Sequence, residues 1–179
     1  MKQYPIKLSQ ASCLLLAVAF TGCNGGIHSS QGGLSSLPTP VAISSSAQVI
    51  KVSVVPVNIS QSSAGDAVIA LSISPGFHIN ANPATFPYLI ATEVTTGNVE
   101  GIGVGSPAYP AAQKKKFQFA EEPLSVYEGE IPIKLNLRAE ANATTGTQSL
   151  PVKVRVQACD EEQCFPPATI NASISVTVR

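Results

Sequence analysis

Ile131-Pro132-Ile133-Lys134-Leu135-Asn136-Leu137-Arg138 decides the fold class, because apolar and polar side chains alternate along it without a break. In extended backbone successive side chains point to opposite faces, so Ile131, Ile133, Leu135 and Leu137 share a dry face and Pro132, Lys134, Asn136 and Arg138 a wet one. The same period recurs twice downstream. Val152, Val154 and Val156 lie opposite Lys153, Arg155 and Gln157, and Ile170, Ala172, Ile174, Val176 and Val178 lie opposite Asn171, Ser173, Ser175, Thr177 and Arg179. Upstream, a β-branched run starts near Gln48, where Val49, Lys51 and Ser53 alternate with Ile50, Val52 and Val54. Another, Ala67 to Ser74, stops at Pro75-Gly76, a strong turn signal. About seven such runs, with turns between them and no stretch of helical period, predict an all-β domain: an immunoglobulin-like antiparallel β-sandwich.

The chain has 179 residues, only 12% of them charged, enough for one domain plus appendages. Lys2 and Lys7 precede an apolar run from Cys13 to Phe20, the layout of a secretory signal and too short to span a bilayer securely. It ends in Phe20-Thr21-Gly22-Cys23, which resembles a bacterial lipobox, with Phe20 where Leu is usual. On this reading residues 1–22 are removed and Cys23 is lipidated; the alternative is an ordinary signal peptide followed by an unrelated cysteine. Residues 24–47 are dominated by Ser, Gly and Pro and carry no charged side chain. Residues 23–47 therefore read as the lipidated cysteine and a flexible tether, and 48–179 as the folded domain. Two or more acyl chains would hold the domain to a membrane, each buried methylene contributing about 0.8 kcal/mol. Loss of Lys2 and Lys7 leaves nine basic against eleven acidic residues, a net charge of −2 that does not suit a nucleic-acid partner.

With Cys13 gone and Cys23 acylated, the domain keeps Cys159 and Cys164, which form a disulfide in an oxidising compartment unless something reduces them. Five extended steps would separate their Cα atoms by about 16 Å, whereas a disulfide needs about 5.5 Å, so Asp160-Glu161-Glu162-Gln163 must turn. Pro166 and Pro167 donate no ladder hydrogen bond, which places Cys164 at a sheet edge or in a loop and makes it the more approachable sulfur. A bridge closing so short a loop stabilises by only about 2 kcal/mol, a weak reason to have one. Three carboxylates beside Cys159 disfavour its thiolate. Spacing alone leaves a passive hairpin staple open. Two cysteines so spaced, with His28 in the tether and His78 far upstream, do not make a zinc site, and no metal is expected.

The run Val156-Gln157-Ala158-Cys159-Asp160-Glu161-Glu162-Gln163-Cys164-Phe165-Pro166-Pro167 resembles the strand, cysteine, short acidic loop, cysteine and paired prolines of a family. That family is the N-terminal periplasmic domain of the DsbD thiol–disulfide interchange protein, also called the disulfide bond corrector domain. Pro75 to Pro83 and Val126 to Glu130 resemble it in matching order, and the likeness runs from Val49 to Val178. The resemblance implies an extracytoplasmic, immunoglobulin-like domain that takes electrons from a thioredoxin-like domain or membrane electron carrier and passes them to oxidised envelope proteins. As an enzyme it would be a protein-disulfide reductase. The resemblance also implies Cys164 as the sulfur that exchanges with partners, Cys159 as the resolver, and no cofactor. An aromatic cap over the cysteines is implied as well, with Phe119 the first candidate and Phe117 and Tyr127 behind it.

Phe117 and Phe119 would share one face of a strand, so core packing is the competing reading for both. Lys114-Lys115-Lys116 reads as a solvated turn and His78 as a structural histidine. Members of the family continue into a multi-helix membrane carrier and a thioredoxin-like domain. This sequence ends at Arg179 with neither, so a separate reductant is expected. The competing function is a non-enzymatic binding or adhesive sandwich with a structural disulfide. A third reading keeps the fold and dedicates it to cytochrome maturation or metal delivery.

Overall fold

A computed structural model describes residues 42–179; the signal segment, Cys23 and the tether up to residue 41 lie outside the described residues. A single 3-10 turn, Ser46–Gln48, precedes twelve strands, and no α-helix occurs among the described residues. In chain order the strands are β1 (Ile50–Val54), β2 (Val57–Ile59), β3 (Ala64–Ile73), β4 (His78–Asn80), β5 (Glu93–Thr96) and β6 (Ile102–Val104). They continue with β7 (Gln113–Lys115), β8 (Leu124–Tyr127), β9 (Glu130–Ala139), β10 (Gly146–Val156), β11 (Ala158–Cys159) and β12 (Ala168–Val178).

Two four-stranded sheets, β1-β3-β9-β6 and β2-β12-β10-β5, form the sandwich, and a small third sheet, β11-β4-β8-β7, sits beside it. The expected all-β, immunoglobulin-like architecture is therefore the one found. Strict alternation along β9 turns Ile131, Ile133, Leu135, Leu137 and Ala139 inward. They meet Leu150, Val152, Val154 and Val156 of β10 and Ile174, Val176 and Val178 of β12 in one core. Ile170 and Ala172, expected on the same dry face, are only partly buried and pack at the core's margin.

Two local features decide how the sheets are wired. At Val55-Pro56 the chain leaves the first sheet for the second: β1 pairs antiparallel with β3, and β2 pairs parallel with β12, the one parallel pair among the described strands. Pro56 has no N–H for a continuing ladder, which suits a strand that must change sheets. At Ser74-Pro75-Gly76-Phe77 the Phe77 N–H donates to the Ser74 carbonyl at 3.2 Å, and Gly76 has φ of 85°. Proline followed by a positive-φ glycine is what a type II turn demands. This turn delivers β4 to the third sheet, where it lies between β11 and β8.

Leu135 is fully buried and Lys134 is exposed on the opposite face. Leu135→Ala should lower unfolding free energy by about 2–5 kcal/mol in urea titrations, the usual cost of emptying a packed site. Lys134→Ala should leave it nearly unchanged. Equal losses would contradict the assignment of dry and wet faces.

Candidate functional site

β10 and β12 pair residue for residue until Val156 stands opposite Ala168. Everything between, Gln157 to Pro167, is an excursion from that ladder, and it carries both cysteines. Its first arm peels off to form β11, which pairs with β4 so that Ala158 lies opposite Ile79 and Cys159 opposite His78. Asp160 makes the turn: its N–H donates to the Gln163 carbonyl at 2.9 Å, and its Oδ1 accepts the N–H groups of Glu162 and Gln163, both at 2.8 Å. The Phe165 N–H donates to the Ala158 carbonyl at 2.8 Å and closes the hairpin. Cys159 and Cys164 then face each other with Cα atoms 3.9 Å apart and are joined by a disulfide. The turn that extended geometry required is thus present, and an aspartate of the acidic insert builds it.

The hairpin is held from below by a residue that sequence reasoning placed in the tether. Ser46 is fully buried; its hydroxyl donates to the Pro166 carbonyl at 2.8 Å and accepts the Ala158 N–H, also at 2.8 Å. Its own N–H donates to the same Pro166 carbonyl at 3.1 Å. One serine therefore ties the two arms together, one beside each cysteine. Nothing in a Ser-rich run marks Ser46 apart from its neighbours. Phe165 is also buried and packs against Phe77, with ring centroids 5.8 Å apart.

The two sulfurs differ in access. Cys159 is 1% exposed, whereas Cys164 is an exposed residue and lines a cavity of about 500 Å³. Phe86, Leu89, Phe119 and Leu124 supply apolar wall, and Glu121 and Glu122 add carboxylates. Tyr88 lines it as well, 76% exposed and stacked on Phe86 at 5.3 Å. The apolar run Phe86-Pro87-Tyr88-Leu89 is the sequence signal for this wall, and it lacks the alternation that marks a strand.

Of the three aromatic candidates for a cap, only Phe119 stays at the surface, 42% exposed and lining the cavity with Cys164. Phe117 is buried and stacks with both Phe119, at 5.3 Å, and His78, at 4.0 Å. Tyr127 is core: its hydroxyl donates to the Pro110 carbonyl at 3.2 Å and accepts the Asn82 N–H at 3.3 Å, and it does not line the Cys164 cavity.

The lysine run also departs from its reading as a solvated turn. Lys115 closes β7 and reaches Glu128 Oε1 at 2.7 Å and Glu161 Oε1 at 3.1 Å, pinning the acidic insert to the third sheet. Those two carboxylates, Glu128 foremost, hold its ammonium pKa above the usual lysine value. Lys116 donates to the carbonyls of Ala120 at 2.8 Å and of Glu121, holding the loop that carries Phe119. A turn signal in the sequence thus becomes a strand end because β8 offers an edge, with Lys115 opposite Leu124.

His78 is 1% exposed, and burial pushes its pKa below the ordinary histidine value. Glu128, Glu161 and Asp160 pull it back up, and Lys115 pushes it further down.

A family model described as "Thiol:disulfide interchange protein DsbD, N-terminal" matches residues 46–175. Among solved structures, the fold resembles the crystal structure of the Neisseria meningitidis DsbD n-terminal domain in the reduced form, with 17% identity and a TM-score of 0.45, over 72% of this chain and 85% of that one. It also resembles the N-terminal periplasmic domain of ScsB from Proteus mirabilis, with 11% identity and a TM-score of 0.42, over 72% of this chain and 45% of that one. No curated protein matches the chain by sequence.

Ser46→Ala leaves the buried Ala158 N–H without an acceptor, and an unpaired buried amide costs about 1–3 kcal/mol. The expected outcome is a loss of that size in urea unfolding, with faster amide exchange in Ala158–Phe165. A variant as stable as the parent would show that Ser46 does not clamp the hairpin.

Proposed function

Because the chain belongs to the family of the N-terminal region of the thiol:disulfide interchange protein DsbD, we propose that it relays reducing equivalents to oxidised proteins outside the cytoplasm. Its Cys159–Cys164 pair is the carrier. The domain is held to a membrane through lipidated Cys23 and the tether that follows, after removal of residues 1–22. The reductant is a thioredoxin-like protein or a membrane electron carrier.

One observation carries the assignment of roles: Cys164 opens into a cavity while Cys159 is buried beneath it. A donor thiolate attacks Cys164 Sγ, the bridge breaks, and its electron pair leaves on Cys159, which takes a proton. The donor's second thiolate then attacks the donor sulfur of this mixed disulfide and frees Cys164. In the onward half-reaction, Cys164 attacks a client disulfide and Cys159 resolves the adduct, restoring the bridge and releasing a client dithiol. Two electrons and two protons move in each half, and no cofactor is needed.

The surroundings fit this use better than they fit a staple. Exchange requires an approachable sulfur with a leaving thiol behind it, and the hairpin supplies both. Phe119 restricts approach to Cys164 until a partner displaces it. Glu121 and Glu122 line the Cys164 cavity, and Glu161 and Glu162 line a second hollow that shares Phe119 with it, so a partner with basic residues around its own cysteine is favoured electrostatically.

Cys159→Ser, with Cys164 first converted to its mixed disulfide with 2-nitro-5-thiobenzoate, should exchange that leaving group for a thioredoxin-like donor that keeps only its attacking cysteine and accumulate the adduct, and Cys164→Ser treated in the same way should accumulate none. Equilibration with thiol buffers should give a reduction potential above about −300 mV, the level below which bridges behave as structural. A far lower potential, with no adduct, would return the domain to the binding-sandwich reading. Separately, Phe119→Ala should speed attack by a small thiol on the bridge several-fold while leaving the potential unchanged. An unaltered rate would remove Phe119 from the role of cap.

A further inference from the structure

His78 is buried, has an Nε2 with no hydrogen-bond partner among the described residues, and stands directly across from Cys159 in the β4–β11 ladder. Directly opposed residues in an antiparallel pair send their side chains to the same face, with Cβ atoms about 4.5–5.5 Å apart. The imidazole lies face-on against Phe117, at 4.0 Å and 20°. That contact uses the ring's face and leaves its edge nitrogens available in the ring plane. A buried polar atom left unpaired calls for a reason, and here the neighbouring strand supplies one.

We propose that His78 accepts the thiol proton of Cys159 through Nε2 when the pair is reduced, and so primes Cys159 to resolve a mixed disulfide held on Cys164. The inference rests on the exchange function proposed above and adds a residue to it. In the bridged form Cys159 carries no proton, so Nε2 has nothing to accept; reduction provides the donor. Cys159 needs such help. Its burial and the adjoining Asp160, Glu161 and Glu162 all disfavour a free thiolate, and only the thiolate attacks. Transfer of the proton to His78 forms a thiolate–imidazolium pair whose mutual attraction is strong in a water-poor site.

Burial opposes an imidazolium at His78 and sets the direction of its pKa, while most of the charges that face it favour the transfer. Glu128, at the end of β8, and Asp160 and Glu161 of the hairpin stabilise an imidazolium. Lys115 of β7 opposes it, but its ammonium is engaged by Glu128 and Glu161. The Cys159 S–H bond breaks and its proton passes to Nε2. Cys159 Sγ then attacks Cys164 Sγ, and the bond from Cys164 to the client sulfur breaks with its electron pair on the client. The proton leaves His78 for that thiolate or for solvent.

The test uses the reduced chain and the aromatic disulfide 5,5′-dithiobis(2-nitrobenzoate), each cysteine step releasing one coloured thiolate. The first release reports attack by Cys164 and the second reports resolution by Cys159. Burial holds His78 neutral around neutral pH, so the second rate should rise with pH below neutrality, as His78 loses its proton, and then level off. His78→Gln, and His78→Phe, which keeps an aromatic ring on Phe117, should remove that plateau, leave a rate that climbs on toward the ionisation of the Cys159 thiol, and slow the second release near neutral pH about a hundredfold, the usual worth of a positioned base. An unchanged second rate and pH profile in either folded variant would overturn the inference. So would a parent profile whose only inflection is that of a thiol. No first release from the parent would overturn the exchange function itself, and this inference with it.

Discussion

Eleven residue pairs lock β10 against β12, from Gly146 opposite Val178 to Val156 opposite Ala168. This ladder joins the centre of the second sheet to the cysteine site, because the residues between its two strands have nowhere to go but outward from its end. The alternation of β10 fixes which side chains face the core, and with them the orientation in which the chain leaves Val156. β11 can then pair with β4 of the third sheet, and Cys159 is carried into the interior while Cys164 returns along the surface. A one-residue slip in this ladder would turn every buried valine outward and exchange the environments of the two arms. The core that forbids the slip therefore also sets the chemistry of the site.

The bridge itself contributes little to holding the domain together. A loop this short constrains the unfolded chain by only about 2 kcal/mol, comparable to one well-buried aliphatic side chain. The hairpin's shape is fixed by other means: the Asp160 turn, the Ser46 clamp, and Phe165 packed against Phe77. Because these contacts do not depend on the sulfur–sulfur bond, the hairpin can keep its form through cycles of reduction and oxidation. Around it, Lys115 offsets two carboxylates that would otherwise repel each other, and the stack of His78, Phe117 and Phe119 runs from the interior beside Cys159 to the surface beside Cys164.

The period-two runs of the sequence correspond to β9, β10 and β12, and Pro75-Gly76 forms the turn that its residues predict. Cys159 and Cys164 are joined across the turn that their separation demanded. The less periodic segment between Asn80 and Leu124 was not legible in the same way. Its strands are three or four residues long, too short for alternation to stand out, and its aromatic residues serve the cavity wall instead of a sheet face.

What the sequence determined alone is whatever depends on near neighbours: the strand period, the turn residues, the cysteine pair and the prolines that keep Cys164 at a sheet edge. These follow from backbone geometry within a few residues, so no distant contact is needed to read them. Tertiary structure alone decided that Ser46 clamps the hairpin from 112 residues away, that Lys115 pairs with Glu161, and that His78 lies across from Cys159. Each of these depends on which strand edges meet. That choice is made by burying all the dry faces at once, a property of the whole chain that no local run of residues encodes.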